Sequence, residues 1–165
     1  MQNIHPLFVH FPIVLALVAA LFEILSLIYK RESFYNMASG LVILTAIAAI
    51  ATTITGLLAE STVPHPDVAH SLMETHETIE LIGGSLSVVS ALWVIFLKKK
   101  ARILRTALIA ATAVAISYGA FYGGRLVYDY GVGTQLVKSG MIDKGDTHDH
   151  MEPDSSATDA EGHEH

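Results

Sequence analysis

The sequence predicts an all-α integral membrane protein, a four-helix bundle with both termini outside the cytoplasm. Of its 165 residues, 52% are hydrophobic and only 16% are charged. Four long windows carry almost no charges, and each has roughly the twenty apolar residues that a helix needs to cross a bilayer. Most basic residues lie in two short stretches between these windows. Such a distribution is typical of membrane spans and not of a large soluble core.

The four windows cover about residues 7–29, 34–58, 79–97 and 103–128. The first resembles a signal peptide only superficially. No basic segment precedes it, and Lys30 and Arg31 follow it where a cleavage site would need small residues. We therefore interpret it as a retained span.

The basic residues predict the orientation. Seven of the ten lie between spans one and two or between spans three and four, on the same side of the membrane. The positive-inside rule makes that side cytoplasmic, so both termini are expected in the periplasm of a bacterial inner membrane. The short connections make the spans of each pair antiparallel neighbours. The seven residues are Lys30, Arg31, Lys98, Lys99, Lys100, Arg102 and Arg105.

The composition changes after the fourth span, which divides the chain into a transmembrane domain (1–138) and an acidic tail (139–165). Half of the sixteen acidic residues follow position 142, among too few apolar residues to fold alone, so disorder is expected. The tail histidines lie among carboxylates, a ligand set that suits Cu(II), Ni(II) or Zn(II). Incidental histidines in a solvated tail are the alternative. These residues are His148, His150, His163 and His165.

Histidine is the residue type with the clearest functional pattern. The chain has no cysteine, which excludes disulfides, thiolate metal sites and covalent c-type haem. All nine histidines fall on the predicted outer side. No phosphate-binding loop, nucleophile motif or nucleic-acid signature is present, which favours an electron-transfer or binding protein over a stand-alone catalyst. Besides the four in the tail, the histidines are His5, His10, His65, His70 and His76.

Two histidines are expected at matching depth on different helices. His10 directly precedes the apolar part of span one, and His76 precedes that of span three. His5 and His70 lie roughly 7–9 Å further out at about 1.5 Å per residue. Such a pair is what bis-histidine ligation of haem b, or a metal site in a bundle, requires. Hydrogen-bonded structural histidines are the alternative.

Four residues in or near the spans extend this hypothesis. Gly83 lies seven residues after His76, on nearly the same helix face, where a missing side chain gives room to a porphyrin edge. Arg125 suits a haem propionate, and snorkelling to the interface or pairing with Glu60 is the alternative explanation. Glu23 and Glu80 are intramembrane carboxylates, which suit proton transfer or hydrogen bonds to neighbouring hydroxyls.

The opening nonapeptide from His5, HPLFVHFPI, resembles the signature of an uncharacterised bacterial membrane family, domain of unknown function 2231 (DUF2231). The similarity continues with THE at Thr75, GGRLVY at Gly123 and GVG at Gly131, and covers about residues 4–134. The resemblance implies a small four-helix membrane protein. Relatives occur beside redox modules such as Rieske-type iron–sulfur domains, which implies membrane electron transfer.

Three functional hypotheses follow. The first is a haem-b protein that passes electrons at the periplasmic side, with His10 and His76 as axial ligands and His5 and His70 as alternates. The second is a protein that binds or transports Cu, Ni or Zn. The third is a ligand-free membrane scaffold for a periplasmic redox partner. The expected partners are the lipid bilayer, a Rieske-type or cytochrome redox protein, and further copies of the chain.

Overall fold

The computed structural model describes residues 4–60 and 69–134, and these ranges are helical without any strand. The boundary predicted after residue 138, the tail and His65 lie outside the described residues. The elements are α1 (His5–Phe8), α2 (His10–Tyr29), α3 (Glu32–Glu60), α4 (His70–Leu92), a π-helical segment (Trp93–Leu97) and α5 (Arg102–Tyr128).

Four helical stretches are long and apolar enough to cross a membrane, as the sequence predicts. They are His5–Tyr29, Glu32–Ala59, His70–Leu97 and Arg102–Tyr128. The first contains α1 and α2, which Val9 alone separates. The predicted all-helical fold with four membrane-length helices is therefore confirmed.

The helix ends follow from local sequence. Pro6 lies in the first turn of α1, where its missing N–H and its fixed φ suit a helix start. Lys30 ends α2 in a left-handed conformation with φ 52°. Gly131, with φ 66°, follows α5, and the Val132 N–H donates to the Leu126 carbonyl at 3.0 Å. The Gly131 N–H also donates to the Val127 carbonyl at 3.0 Å, and this bond and the left-handed glycine form an αL-type helix end.

The long helices pack in a ring. The antiparallel pairs α2–α3 and α4–α5 make the most extensive contacts, and α3–α4 and α2–α5 close the ring. Chain direction therefore gathers the start of α1, the end of α3, the start of α4 and the end of α5 at one end, here called the site end. The connections at residues 30–31 and 98–101 lie at the opposite, basic end.

Small side chains fill the interior and large apolar ones face outward. Eight of the twelve buried hydrophobic residues are alanines, including Ala16 and Ala19, whereas Leu21 and Ile47 are more than half exposed. This inverts the pattern of soluble bundles and matches helix association in lipid, where small residues allow close approach. Across α4 and α5, the Ser90 and Thr112 hydroxyls hydrogen-bond at 3.0 Å.

Candidate metal site

Two histidines and a carboxylate meet at the site end of the bundle. His5 on α1 and His76 and Glu80 on α4 each offer one ligand atom, and these three atoms lie within 4.8 Å of one another. His76 and Glu80 are four residues apart, so they share one face of α4, with Nε2 of His76 3.6 Å from Oε2 of Glu80. Their side chains are 15% and 20% exposed. We call His5, His76 and Glu80 the histidine–glutamate group.

A backbone carbonyl of α5 orients the His76 ring. Nδ1 of His76 lies 2.9 Å from the Gly119 carbonyl oxygen. A carbonyl only accepts hydrogen bonds, so Nδ1 carries a proton, and in the neutral ring Nε2 then carries the lone pair. Metal-binding histidines are held in this way, with the second ring nitrogen donating to a carbonyl or carboxylate. The lone pair therefore lies on the nitrogen next to Glu80.

Helix α3 orients His5 and fixes α1. Nδ1 of His5 lies 3.3 Å from the Thr55 hydroxyl oxygen, and that hydroxyl donates to the Ala51 and Thr52 carbonyls at 3.0 and 2.9 Å. Because the hydroxyl proton is directed at the backbone, its oxygen accepts from Nδ1 of His5. The Thr52 hydroxyl also donates to the Phe8 carbonyl at 3.2 Å, which ties α1 to α3.

Glu80 supplies the oxygen ligand of the group. Its Oε1 atom is buried and has no hydrogen-bond partner within the described ranges. Leaving a buried carboxylate oxygen without a partner is costly, so this atom is suited to contact an ion or a water molecule. The two histidines next to it are suited to share a cation with it.

Glycines on the neighbouring helices make room for the group. A Cβ atom on Gly123 of α5 would lie 2.9 Å from Cε1 of His76, closer than real Cβ contacts. A Cβ atom on Gly56 of α3 would lie 3.1 Å from Cε1 of His5 and 3.4 Å from Oε2 of Glu80. Side chains from α1 and α4 thus occupy the space that α3 and α5 leave open.

A cavity of about 50 Å³ extends from the group towards the middle of the bundle. Its volume is enough for a few water molecules. His76 and Glu80 form one wall, the threonines Thr52 and Thr53 add polar side chains, and the remaining wall is mostly apolar, with Pro12 among its residues.

The structure brings His5, and not His10, next to His76. His10 is exposed, and His70 is also exposed and pairs with Glu74, with His70 Nε2 3.4 Å from Glu74 Oε1. Residues five apart on a nearly continuous helix point roughly 140° away from each other, so His5 and His10 cannot both face the bundle interior. Depth was estimated from the sequence, but the direction around the helix decides which histidine meets His76.

The residues predicted to accommodate a porphyrin are used for packing. A Cβ atom on Gly83 would lie 3.2 Å from Cγ1 of Ile116, so α5 fills the space beside this glycine. Nε of Arg125 donates to Asp129 at 2.8 Å on the surface. Pockets for large organic ligands have volumes of roughly 300–1,000 Å³, and the cavity beside His76 is far smaller. The described residues therefore do not fit a haem at this position.

A second charged cluster lies near the basic end and was not anticipated. Nη2 of Arg105 donates to Oε2 of Glu23 at 2.8 Å, and the two side chains are 1% and 0% exposed. Arg105 also donates to the Ser39 hydroxyl at 3.1 Å and stacks over the Tyr35 ring, 4.2 Å from its centre. The sequence assigned Arg105 to the basic connection, whereas it is buried in α5. The sequence does contain a signal for this pair, because Glu23 and Arg105 lie at similar depths, each towards the same end of the bundle.

The fold and the site define a class, a four-helix membrane protein with a polar group at one end of its bundle. The family model described as "Predicted membrane protein (DUF2231)" matches residues 1–136. The chain therefore belongs to this family, in agreement with the resemblance in its opening residues. No curated protein and no solved structure matches the chain.

Proposed function

We propose that the protein binds a divalent transition-metal ion in the membrane through His5, His76 and Glu80. The observation that carries the proposal is the convergence of the three ligand atoms to within 4.8 Å. Two imidazoles and one carboxylate are a donor set that proteins use for zinc. A cofactor-free scaffold would not need a buried carboxylate oxygen that has no hydrogen-bond partner among the described residues.

The distances support a tetrahedral ion. Bonds of about 2.0–2.1 Å place neighbouring ligand atoms roughly 3.4 Å apart in a tetrahedron. Nε2 of His76 and Oε2 of Glu80 are already 3.6 Å apart. The His5 ligand atom lies within 4.8 Å of the other two, so it has to close by up to about 1.4 Å, which a side-chain rotation in the short helix α1 can supply.

The donor set favours zinc, copper or nickel over magnesium or calcium. Imidazole nitrogen suits the first three ions, whereas the latter two prefer all-oxygen sites. The hydrogen bonds from Nδ1 of His76 to Gly119 and from Nδ1 of His5 to Thr55 supply the outer shell that holds ligating histidines in place. Zn(II) is therefore the first ion to test, with Cu(II) and Ni(II) next.

The cellular setting is part of the proposal. The basic residues at the opposite end of the bundle favour a bacterial inner membrane in which the histidine–glutamate group faces the periplasm. An ion would then reach the group from outside the cell. We include no electron transfer, because the packing around His76 offers no support for a haem.

The test is a metal titration of the full chain purified in detergent. Zinc affinity is measured by competition with a chromophoric chelator, in a background where the four tail histidines are replaced by alanine. We expect one Zn(II) per chain and at least a tenfold rise in Kd for His5→Ala, His76→Ala and Glu80→Gln. Far-UV circular dichroism and size-exclusion chromatography verify that each variant is folded.

The matched control is the exposed pair His70 and Glu74, which has the same residue types and the same spacing as His76 and Glu80. His70→Ala, Glu74→Gln and the exposed His10→Ala should each change Kd less than twofold. Equal zinc stoichiometry and affinity in the wild type and in a folded His5→Ala/His76→Ala variant would overturn the proposal.

A further inference from the structure

We infer that the bound metal keeps one exchangeable coordination position, which faces the 50 Å³ cavity and accepts a small monodentate ligand such as water or azide. The inference rests on the proposed function, because it requires a metal at the histidine–glutamate group. It goes beyond that function by assigning a ligand class to the cavity.

The number of protein ligands carries the first step. Among the described residues, the group supplies three ligating side chains, His5, His76 and Glu80. Zinc sites closed by four protein ligands are structural, whereas sites with three leave the fourth position to water or substrate. A metal held here would therefore need a non-protein ligand to complete a tetrahedron.

The position of the cavity carries the second step. His76 and Glu80 belong to its wall, so a ligand in the cavity is adjacent to two of the three metal ligands. On its other sides the group contacts Thr55 and Gly56 of α3 and Gly123 of α5. The cavity is thus the space into which the fourth position can open.

The size and lining of the cavity carry the third step. A volume of about 50 Å³ admits a ligand of a few heavy atoms and excludes larger ones. Thr52 and Thr53 offer hydroxyls to a polar ligand, and the apolar remainder of the wall, including Ile13 and Ile116, limits its contact with bulk water. Such a pocket favours small ligands with one donor atom.

Gly84 provides a specific way to reduce the cavity. It belongs to the wall, and a Cβ atom there would lie 3.4 Å from the Thr53 hydroxyl oxygen, an ordinary contact distance. Gly84→Ala should therefore fold and should leave the three metal ligands unchanged while occupying part of the cavity. Gly40→Ala is its matched control, because a Cβ atom on Gly40 meets nothing within 4 Å.

The experiment uses cobalt as a spectroscopic probe in the full chain, with the tail histidines replaced by alanine. Co(II) is added to the purified protein, and its visible absorption is recorded during titration with azide and, separately, with the bulkier 2-methylimidazole. We expect azide to change the cobalt spectrum saturably with 1:1 stoichiometry, and 2-methylimidazole to have no effect. Gly84→Ala should weaken azide binding at least tenfold at unchanged cobalt content, whereas Gly40→Ala should match the parent protein.

The outcomes separate the two proposals. If neither cobalt nor zinc binds in a way that requires His5 and His76, the proposed function is refuted. Stoichiometric cobalt whose spectrum azide does not change would leave that function intact and refute the open position. Equal azide affinity in Gly84→Ala and Gly40→Ala would also refute the inference, because the exchangeable position would then not face the cavity.

Discussion

The two adjacent glycines of α5 give the sharpest test of the histidine–glutamate group. A Cβ atom on Gly123 would lie 2.9 Å from Cε1 of His76, whereas one on Gly124 meets nothing within 4 Å. Gly123→Ala therefore changes the group directly, and Gly124→Ala makes the same chemical change one residue away. Both replace glycine inside a helix, where alanine stabilises by roughly 0.5–1 kcal/mol when it fits.

The expected effect of Gly123→Ala follows from the distance. Ordinary Cβ contacts begin near 3.4 Å, so the His76 ring has to move by about half an ångström. The hydrogen bond from Nδ1 to the Gly119 carbonyl is 2.9 Å long, and a shift of that size loses the bond or its alignment. Loss of an outer-shell partner of a metal ligand lowers affinity about 10–100-fold, which corresponds to roughly 1.4–2.8 kcal/mol.

Zinc titration and thermal unfolding of the purified variants provide the assay. We expect Gly123→Ala to bind zinc 10–100-fold more weakly than the wild type and Gly124→Ala to bind within twofold of it. Gly124→Ala should also unfold at the same temperature as the wild type or slightly above it. Identical zinc affinities for the two alanine variants would refute the argument that Gly123 makes room for a metal-binding ring.

Three further predictions follow. Glu23→Gln and Arg105→Gln should each destabilise the bundle by about 3–5 kcal/mol, because each leaves a buried charge without its partner. Thermal unfolding in detergent measures the change in stability. A change below 1 kcal/mol would contradict the buried ion pair. Truncation after Gly140 should remove any weak metal sites of the tail and keep one tightly bound zinc per chain, as measured by elemental analysis. Loss of the tightly bound zinc would show that its ligands are residues of the tail. The absorption spectrum of dithionite-reduced protein from haem-sufficient cells should lack a Soret band. A sharp α-band that is lost in His10→Ala and in His76→Ala would instead support the haem hypothesis.

The sequence predicts the fold well because one physical requirement dominates it. A helical segment in lipid has to satisfy its backbone hydrogen bonds internally, so long, nearly uncharged windows directly predict helices. The four membrane-length helices and the family follow from this pattern and from the opening residues. Eight of the twelve buried hydrophobic residues are alanines, and hydropathy alone does not reveal which face of each helix they occupy.

The candidate site was predictable in part. Histidine at one end of the bundle, and His76 in particular, followed from the spacing of residues along the chain. The partner of His76 depends on the rotation of α1 about its axis, which places His5 against Thr55 on α3. Sequence spacing measures depth along a helix, whereas that rotation is set by packing between residues about fifty positions apart. For the same reason, Gly83 could not be distinguished from Gly123 as the glycine next to a histidine.

Glu23 and Glu80 differ in the partners of their carboxyl groups, and this difference favours a cation at the site end. Glu23 is paired with Arg105, whose guanidinium is always protonated, so that carboxylate is compensated by a side chain of the same chain. Glu80 has His76 as its ion-pair partner, and a histidine that offers a lone pair carries no charge. Arg105 and Glu23 lie near the basic end and Glu80 lies at the site end, and the bundle core also contains an apolar cluster that includes Ala19, Val42 and Ile109. Arg105 therefore cannot serve both carboxylates, and a cation bound between His5, His76 and Glu80 would balance the second one.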